Sequence, residues 1–116
     1  SVMSRLMGTA DRIEVLVLRK ELDEALKTRL DLDLEALLAL PMADLEHRLW
    51  GENALDLDEM DQLAYLLDEL AEKDHDMDGK AAQALALKLW LHVRSHSTTY
   101  SYDREARIQH LEGVVG

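Results

Sequence analysis

Six residues around position 76 have the types and spacing of a calcium-binding turn. Asp74, Asp76 and Asp78 alternate, and a glycine follows at once. This order matches the opening D-x-D-x-D-G of a calcium loop, in which alternating carboxylates wrap the cation and glycine makes the bend. Leu85 stands at the twelfth position, where a Glu would close the site. We interpret the segment as an acidic turn whose aspartates cap the next helix, with weak calcium binding by an open half-loop as the alternative.

Histidine and hydroxyl side chains could carry two further kinds of chemistry. His92 and His96 are four residues apart, so one helix face could offer both imidazoles to a metal, but two ligands do not make a site. Serines and threonines cluster at residues 95–101, yet no glycine-rich elbow accompanies them. Carboxylate pairs are too numerous for one pair to stand out as a general acid and base. We therefore predict no catalytic residue, no cofactor and no enzyme activity.

Aromatic and arginine side chains near the end of the chain have the composition of a binding surface. Tyrosine, tryptophan and arginine dominate the hot spots of protein interfaces. The alternative is structural, with Ser101 capping a helix, one tyrosine of this segment packing over Trp90, and both tryptophans in the core. For a partner surface we predict six contact residues, namely Trp50, Trp90, Tyr100, Tyr102, Arg104 and Arg107.

The composition is that of one small helical domain spanning residues 1–116. Of the 116 residues 47% are apolar, but only 4% are aromatic and Phe is absent, so the core must consist mostly of Leu and Ala. These two residues favour helices. The absence of cysteine excludes disulfides and the strongest class of zinc site. A single hydrophobic core is therefore expected to hold the fold together.

Net charge and hydropathy exclude two classes of partner. The formal charge of −11 argues against nucleic acid, because affinity for a polyanion depends on Lys and Arg. Even the apolar run at residues 13–18 is interrupted by Glu14, and a membrane span needs roughly 20 continuous apolar residues. The start of the chain lacks the apolar stretch of a signal peptide. We expect a cytoplasmic protein that binds neither nucleic acid nor membrane.

Acidic residues are concentrated in the middle of the chain. Residues 1–29 hold 6 basic and 5 acidic side chains, residues 30–79 hold 2 and 16, and residues 80–116 hold 5 and 3. One interpretation is a solvated face that keeps a Leu-rich domain from aggregating. The other is an acidic surface that attracts a basic partner.

Apolar spacing predicts helices along the whole chain. Residues 9–30 form one kinked helix or two short ones, residues 31–51 two short helices, residues 57–95 a helical hairpin, and residues 101–112 a last, capping helix. The run at residues 15–18 could form a buried strand, since β-branched residues favour sheets. No second strand is available to pair with it, so we predict an all-α fold of five to seven helices.

Four positions should mark helix ends. Asp56 and Glu59 have the spacing of a capping box. Pro41 suits the first residue of a helix, and Gly51 suits the left-handed cap at the end of the same helix. The last helix is expected to end at Gly113.

The predicted hairpin resembles a tetratricopeptide repeat. Gly79 with Ala84 and Leu85 is similar to the turn and second helix of that repeat, although Lys88 stands where an aromatic residue is expected and no second full repeat follows. Over residues 20–112 the chain also resembles small bacterial tetratricopeptide-like proteins without an assigned activity. The matching positions are Leu40-Pro41, Asp44-Leu45, Leu63-Ala64, Leu66-Leu67, Glu69, Ala84-Leu85, Thr99-Tyr100-Ser101, Arg104 and Ile108.

The resemblance implies an array of helical hairpins, or a right-handed helical bundle, that presents surfaces. We therefore expect a protein-binding or peptide-binding module, with a partner that carries basic residues, or a self-associating protein that forms a homodimer. Two alternatives stay open: a calcium-responsive helical protein that uses the turn at 74–78, and a small-ligand-binding or enzymatic accessory protein.

Overall fold

The computed structural model describes residues 2–51, 55–74 and 77–115, with side chains from residue 12 onward. These residues contain helices and no strand, so the predicted all-α class is confirmed. The described helices, in chain order, are α1 (Val2–Leu30), α2 (Leu34–Ala39), α3 (Met42–Trp50), α4 (Leu57–Lys73), α5 (Gly79–His96) and α6 (Tyr102–Val115).

Helix α1 is one continuous helix of 29 residues, which answers the open question of one helix or two. The β-branched run at residues 15–18 lies inside it. The helix ends where Asp31 takes a left-handed conformation with φ 56° and donates its backbone N–H to the Lys27 carbonyl. Aspartate tolerates this conformation better than most residues because its short polar side chain can bond locally.

Helices α2 and α3 are short because local signals interrupt them. The Asp33 carboxylate accepts the Ala36 N–H at 2.8 Å and so caps α2. Pro41 stands at the N-cap of α3, one position before the helix begins. The prediction for Gly51 is wrong, since its φ is −82° and its backbone is extended. A Cβ there would lie 2.3 Å from the His47 carbonyl oxygen, so close approach is what requires glycine.

Helices α4 and α5 form an antiparallel hairpin that contains the centre of the core. The capping box of α4 is present, with Asp56 accepting the Glu59 N–H at 2.8 Å and Glu59 accepting the Asp56 N–H at 3.1 Å. Alanines allow the two helices to approach closely, because a small side chain lets the backbones come together. The fully buried residues of the hairpin are Ala64, Leu67, Leu70, Ala82, Ala86 and Leu89.

The remaining helices pack on this hairpin from two sides. Leu22 and Leu26 of α1 are buried against α4, and Ile108 and Leu111 of α6 are buried against α5. Helix α6 continues through Gly113 to Val115, contrary to the predicted end at this glycine. A Cβ on Gly113 would meet no atom within 4 Å, so nothing in the packing requires glycine or ends the helix there.

Candidate interaction surfaces

Helix α1 presents a row of apolar side chains to solvent, which we call the α1 row. It consists of Ile13, Leu16 and Val17, and their side chains are 57%, 62% and 50% exposed. Leu22, nine residues or about two and a half turns after Ile13, lies on the opposite side of the helix and is buried. Helix α1 is thus apolar on two faces, and only one of them contacts the rest of the described chain.

The α1 row lies near the end of the helical body because α1 is longer than its neighbour. Glu14 pairs with Lys73, the last residue of α4, while Arg29 pairs with Glu59 near its start. The two helices are therefore antiparallel. At 1.5 Å per residue α1 is about 43 Å long and α4 about 25 Å, so the first part of α1 extends beyond α4.

Charged residues border the α1 row on both sides. Arg12 precedes it and Lys20 follows it, and both side chains are exposed. Beyond Lys20 the outward face of α1 becomes polar, with Glu24 exposed at the next turn. In the sequence, apolar residues also recur before the row, at positions 3, 6, 7 and 10, with helical spacing. This surface was not among the predicted contact sites, although two apolar faces within one amphipathic segment were the signal for it.

Tyr100 and Tyr102 are the predicted surface residues that the structure leaves most accessible. They are 65% and 84% exposed, and their rings meet edge to face with centroids 4.9 Å apart. The predicted packing of a tyrosine of this segment over Trp90 is therefore wrong. The Ser101 hydroxyl accepts the Arg104 N–H at 3.2 Å, as expected for a residue that caps α6.

Trp90 lies inside the protein, with 2% of its surface exposed. Its indole Nε1 donates to the Asp61 carboxylate at 3.0 Å, which satisfies its polar atom. The guanidinium of Arg107 lies over the ring, 5.9 Å from the centroid. Arg104 is also buried, and its guanidinium donates to the Thr99 carbonyl at 2.8 Å. These contacts stabilise the junction of α4, α5 and α6.

Arg107 is the centre of a polar cluster between α4 and α6. It donates to Asp68 at 2.8 Å and to Glu69 at 3.2 Å, and its guanidinium lies 4.5 Å from the Tyr65 ring centroid. Burial opposes the charge, but the hydrogen bonds that Arg107 donates to Glu69 and Asp68 outweigh it and hold the pKa of Arg107 above its ordinary value. Asp68 itself is buried, so Arg107 compensates a carboxylate that has lost its water.

Trp50 belongs to a column of stacked rings that joins α3 to α5. Its ring lies 4.7 Å from that of His92 with an interplanar angle of 9°, and His92 lies 4.1 Å from His96. The ammonium group of Lys88 lies over the Trp50 ring, 5.7 Å from its centroid. Burial, and then the charge of His96, lower the pKa of His92, which favours the neutral form of its ring.

The residues of the predicted calcium turn have other contacts. Arg19 donates to the buried carboxylate of Asp74 at 3.3 Å, so a guanidinium supplies positive charge there. The Asp78 carboxylate accepts the Ala81 N–H at 3.1 Å and caps α5, as the structural interpretation predicted. Asp76 lies outside the described residues. Across the described part of the chain, no group of three or more His, Asp or Glu side chains is arranged to hold a metal ion.

A cavity of about 360 Å³ lies between the end of α1 and α3. The polar side chains that line it already form contacts at the C-terminal end of α1. Arg48 donates to the Leu30 carbonyl at 2.8 Å, and Lys27 pairs with Asp31. A second cavity of about 160 Å³ is an apolar groove between α2, α3 and α5, next to the exposed Met42.

Comparisons of the chain with protein-family models, with curated proteins and with solved structures find no match. Within the described ranges, no helix combines the length and the apolar character that crossing a membrane requires.

Proposed function

We propose that this chain is a non-catalytic helical module that binds another protein through the α1 row, either a peptide or helix of a partner or a second copy of itself. The observation that carries the proposal is the exposure of Ile13, Leu16 and Val17 side by side on one helix face. Exposed apolar side chains grouped on one face are typical of interaction sites, whereas scattered single ones are ordinary.

The surroundings of the α1 row suit a partner helix. An amphipathic helix binds by burying apolar residues at helical spacing, and the row offers residues three and four positions apart. Exposed carboxylates of the middle segment, among them Asp44, Asp58 and Glu72, attract basic residues to that segment, whereas the nearly neutral α1 suits an apolar helix without a strong positive charge.

We further propose that the α4–α5 hairpin is tetratricopeptide-like. Its close packing through alanines supports this arrangement. A Cβ on Gly79 would lie 3.4 Å from the Ala71 carbonyl oxygen, an ordinary contact, so the packing where α5 begins beside the end of α4 does not itself require glycine. In this arrangement the hairpin is the scaffold and α1 presents the contact surface.

The test is quantitative affinity capture from a native lysate with three forms of the protein. The double variant Ile13→Glu/Val17→Glu places two charges in the α1 row. The matched control Ala106→Glu/Gln109→Glu adds the same charge to exposed positions of α6. We expect a stoichiometric partner that is retained by the wild type and the control and lost by the row variant. Equal recovery of partners by all three forms would refute a role for the row.

A further inference from the structure

We propose that the occupant of the α1 row is the same row of a second copy, with the two α1 helices packed antiparallel in a homodimer. This inference rests on the proposed function and names the partner. Its first support is the footprint. The outward face of α1 is apolar at Ile13, Leu16 and Val17 and becomes polar from Lys20. The contact with a second copy would therefore end before Lys20.

The distribution of charge is the second support. Residues 1–29 carry 6 basic and 5 acidic side chains, whereas residues 30–116 carry 7 and 19. Two copies of a chain with a formal charge of −11 repel each other over most of their surfaces. The first 29 residues are nearly neutral, so this segment is where a second copy can approach without that repulsion. A strongly basic partner would have no such reason to choose α1 over the acidic segment.

Charge also decides the orientation of the two helices. In a parallel pair, the acidic bodies that follow residue 20 of each chain would lie side by side at the same end. In an antiparallel pair they lie at opposite ends, because α1 extends beyond α4 in each copy. Antiparallel packing also places the dipoles of the two helices in opposite directions. A contact of one helix per copy is smaller than a standard interface, so the dimer should be reversible.

The first experiment measures the mass of the purified protein by sedimentation. The concentration series extends to about 1 mM, so that even a dimer with a Kd of about 1 mM would be detected. We expect a dimer that dissociates on dilution. Ile13→Glu/Val17→Glu should weaken it by about a hundredfold or more, because each copy would bring two charges into the apolar contact. The control Ala106→Glu/Gln109→Glu should dimerise as the wild type does, and circular dichroism should show equal helix content in all three.

The second experiment uses the absence of cysteine, which allows single spin labels at Arg12→Cys or Thr28→Cys, both exposed positions of α1. Antiparallel packing centred between residues 10 and 17 brings the labels at position 12 together. It separates those at position 28 by about 35–55 Å at 1.5 Å per residue. A parallel pair would bring both sets of labels together.

Three results would overturn the inference. A monomer at every concentration excludes the second copy, and capture of a different partner lost in the row variant would still support the proposed function. A dimer unaffected by Ile13→Glu/Val17→Glu places the contact elsewhere. A short distance between labels at position 28 excludes the antiparallel arrangement. Failure of the proposed function itself is a separate result, in which neither a dimer nor a captured partner depends on the row.

Discussion

Arg107 shows how one side chain can be both a binding hot spot by type and a structural residue by position. Its guanidinium connects Asp68 and Glu69 of α4 to α6 and covers the face of Trp90. Removing a partner of a buried ion pair is costly because the remaining charge stays away from water. The contacts of Arg107 therefore predict a loss of stability from its replacement.

The variant Arg107→Gln should lower the free energy of unfolding by about 3 kcal/mol, measured by urea unfolding. The control Arg94→Gln breaks a more exposed pair with Glu105 and should cost less than about 1 kcal/mol. Adding Asp68→Asn to Arg107→Gln should recover part of the loss, because no buried charge then remains. Equal losses for Arg107→Gln and Arg94→Gln would contradict the prediction.

His92 makes the stability of the α3–α5 contact depend on pH. Burial and the charge of His96 hold its pKa below 6.5, the ordinary value. The unfolded chain therefore takes up the proton first as the pH falls. The stability that neutral His92 contributes is complete above pH 6.5 and is lost as the pH decreases through the folded-state pKa.

We expect the variant His92→Phe to lose less stability than the wild type between about pH 7 and pH 5, because phenylalanine keeps the stack on Trp50 but cannot titrate. Urea unfolding over this range measures the difference. The variant His110→Gln, at an exposed position of α6, serves as the control and should follow the wild type. A His92 ring signal in NMR that titrates above 6.5 would contradict the argument.

The ends of α1 and α2 show how two nearby aspartates can act in opposite ways. Asp31 ends α1 with φ 56°, a conformation that strains any residue with a Cβ. Asp33 has φ −99° and caps α2 through its carboxylate. Both side chains are exposed, so the backbone and the cap decide the effect of a substitution, and the ion pair of Asp31 with Lys27 contributes little.

The variant Asp31→Gly should raise the thermal midpoint by a few degrees, because glycine adopts the left-handed conformation without strain. The variant Asp33→Ala should lower it by a similar amount, because the Ala36 N–H loses its acceptor. Calorimetry on both proteins measures the shifts. Two shifts of the same sign would show that these local conformations do not control the helix ends.

For the molecule as a whole, folding compensates the charge separation that is visible along the sequence. The basic residues of α1 and α6 lie against the acidic middle segment, as in the pairs of Arg19 with Asp74, Arg29 with Glu59 and Arg107 with Asp68. Part of the negative charge that was expected to attract a basic partner is thus neutralised by arginines of the same chain. The negative charge that remains makes the nearly neutral α1 segment the place where the proposed contact between copies meets the least repulsion.

Local signals were sufficient to predict the helical class and several helix ends, because these depend on neighbours within one or two turns. Asp56 with Glu59 and Asp33 with Ala36 are bonds between residues three positions apart. Pro41 interrupts a helix through its own ring. Gly51 and Gly113 could not be predicted in this way, since only the surrounding atoms show which glycine is needed and for what reason.

Apolar spacing and caps act over short distances, so the amino-acid order was enough to predict amphipathic helices with a core of Leu and Ala. Which apolar and aromatic side chains are covered depends on how the helices pack against one another. Trp90 is inside and Tyr102 is outside because of contacts between helices that are far apart in the sequence. In the same way, Ile13 and Leu22 are equally apolar, and only the position of α4 beside one face of α1 leaves Ile13 exposed.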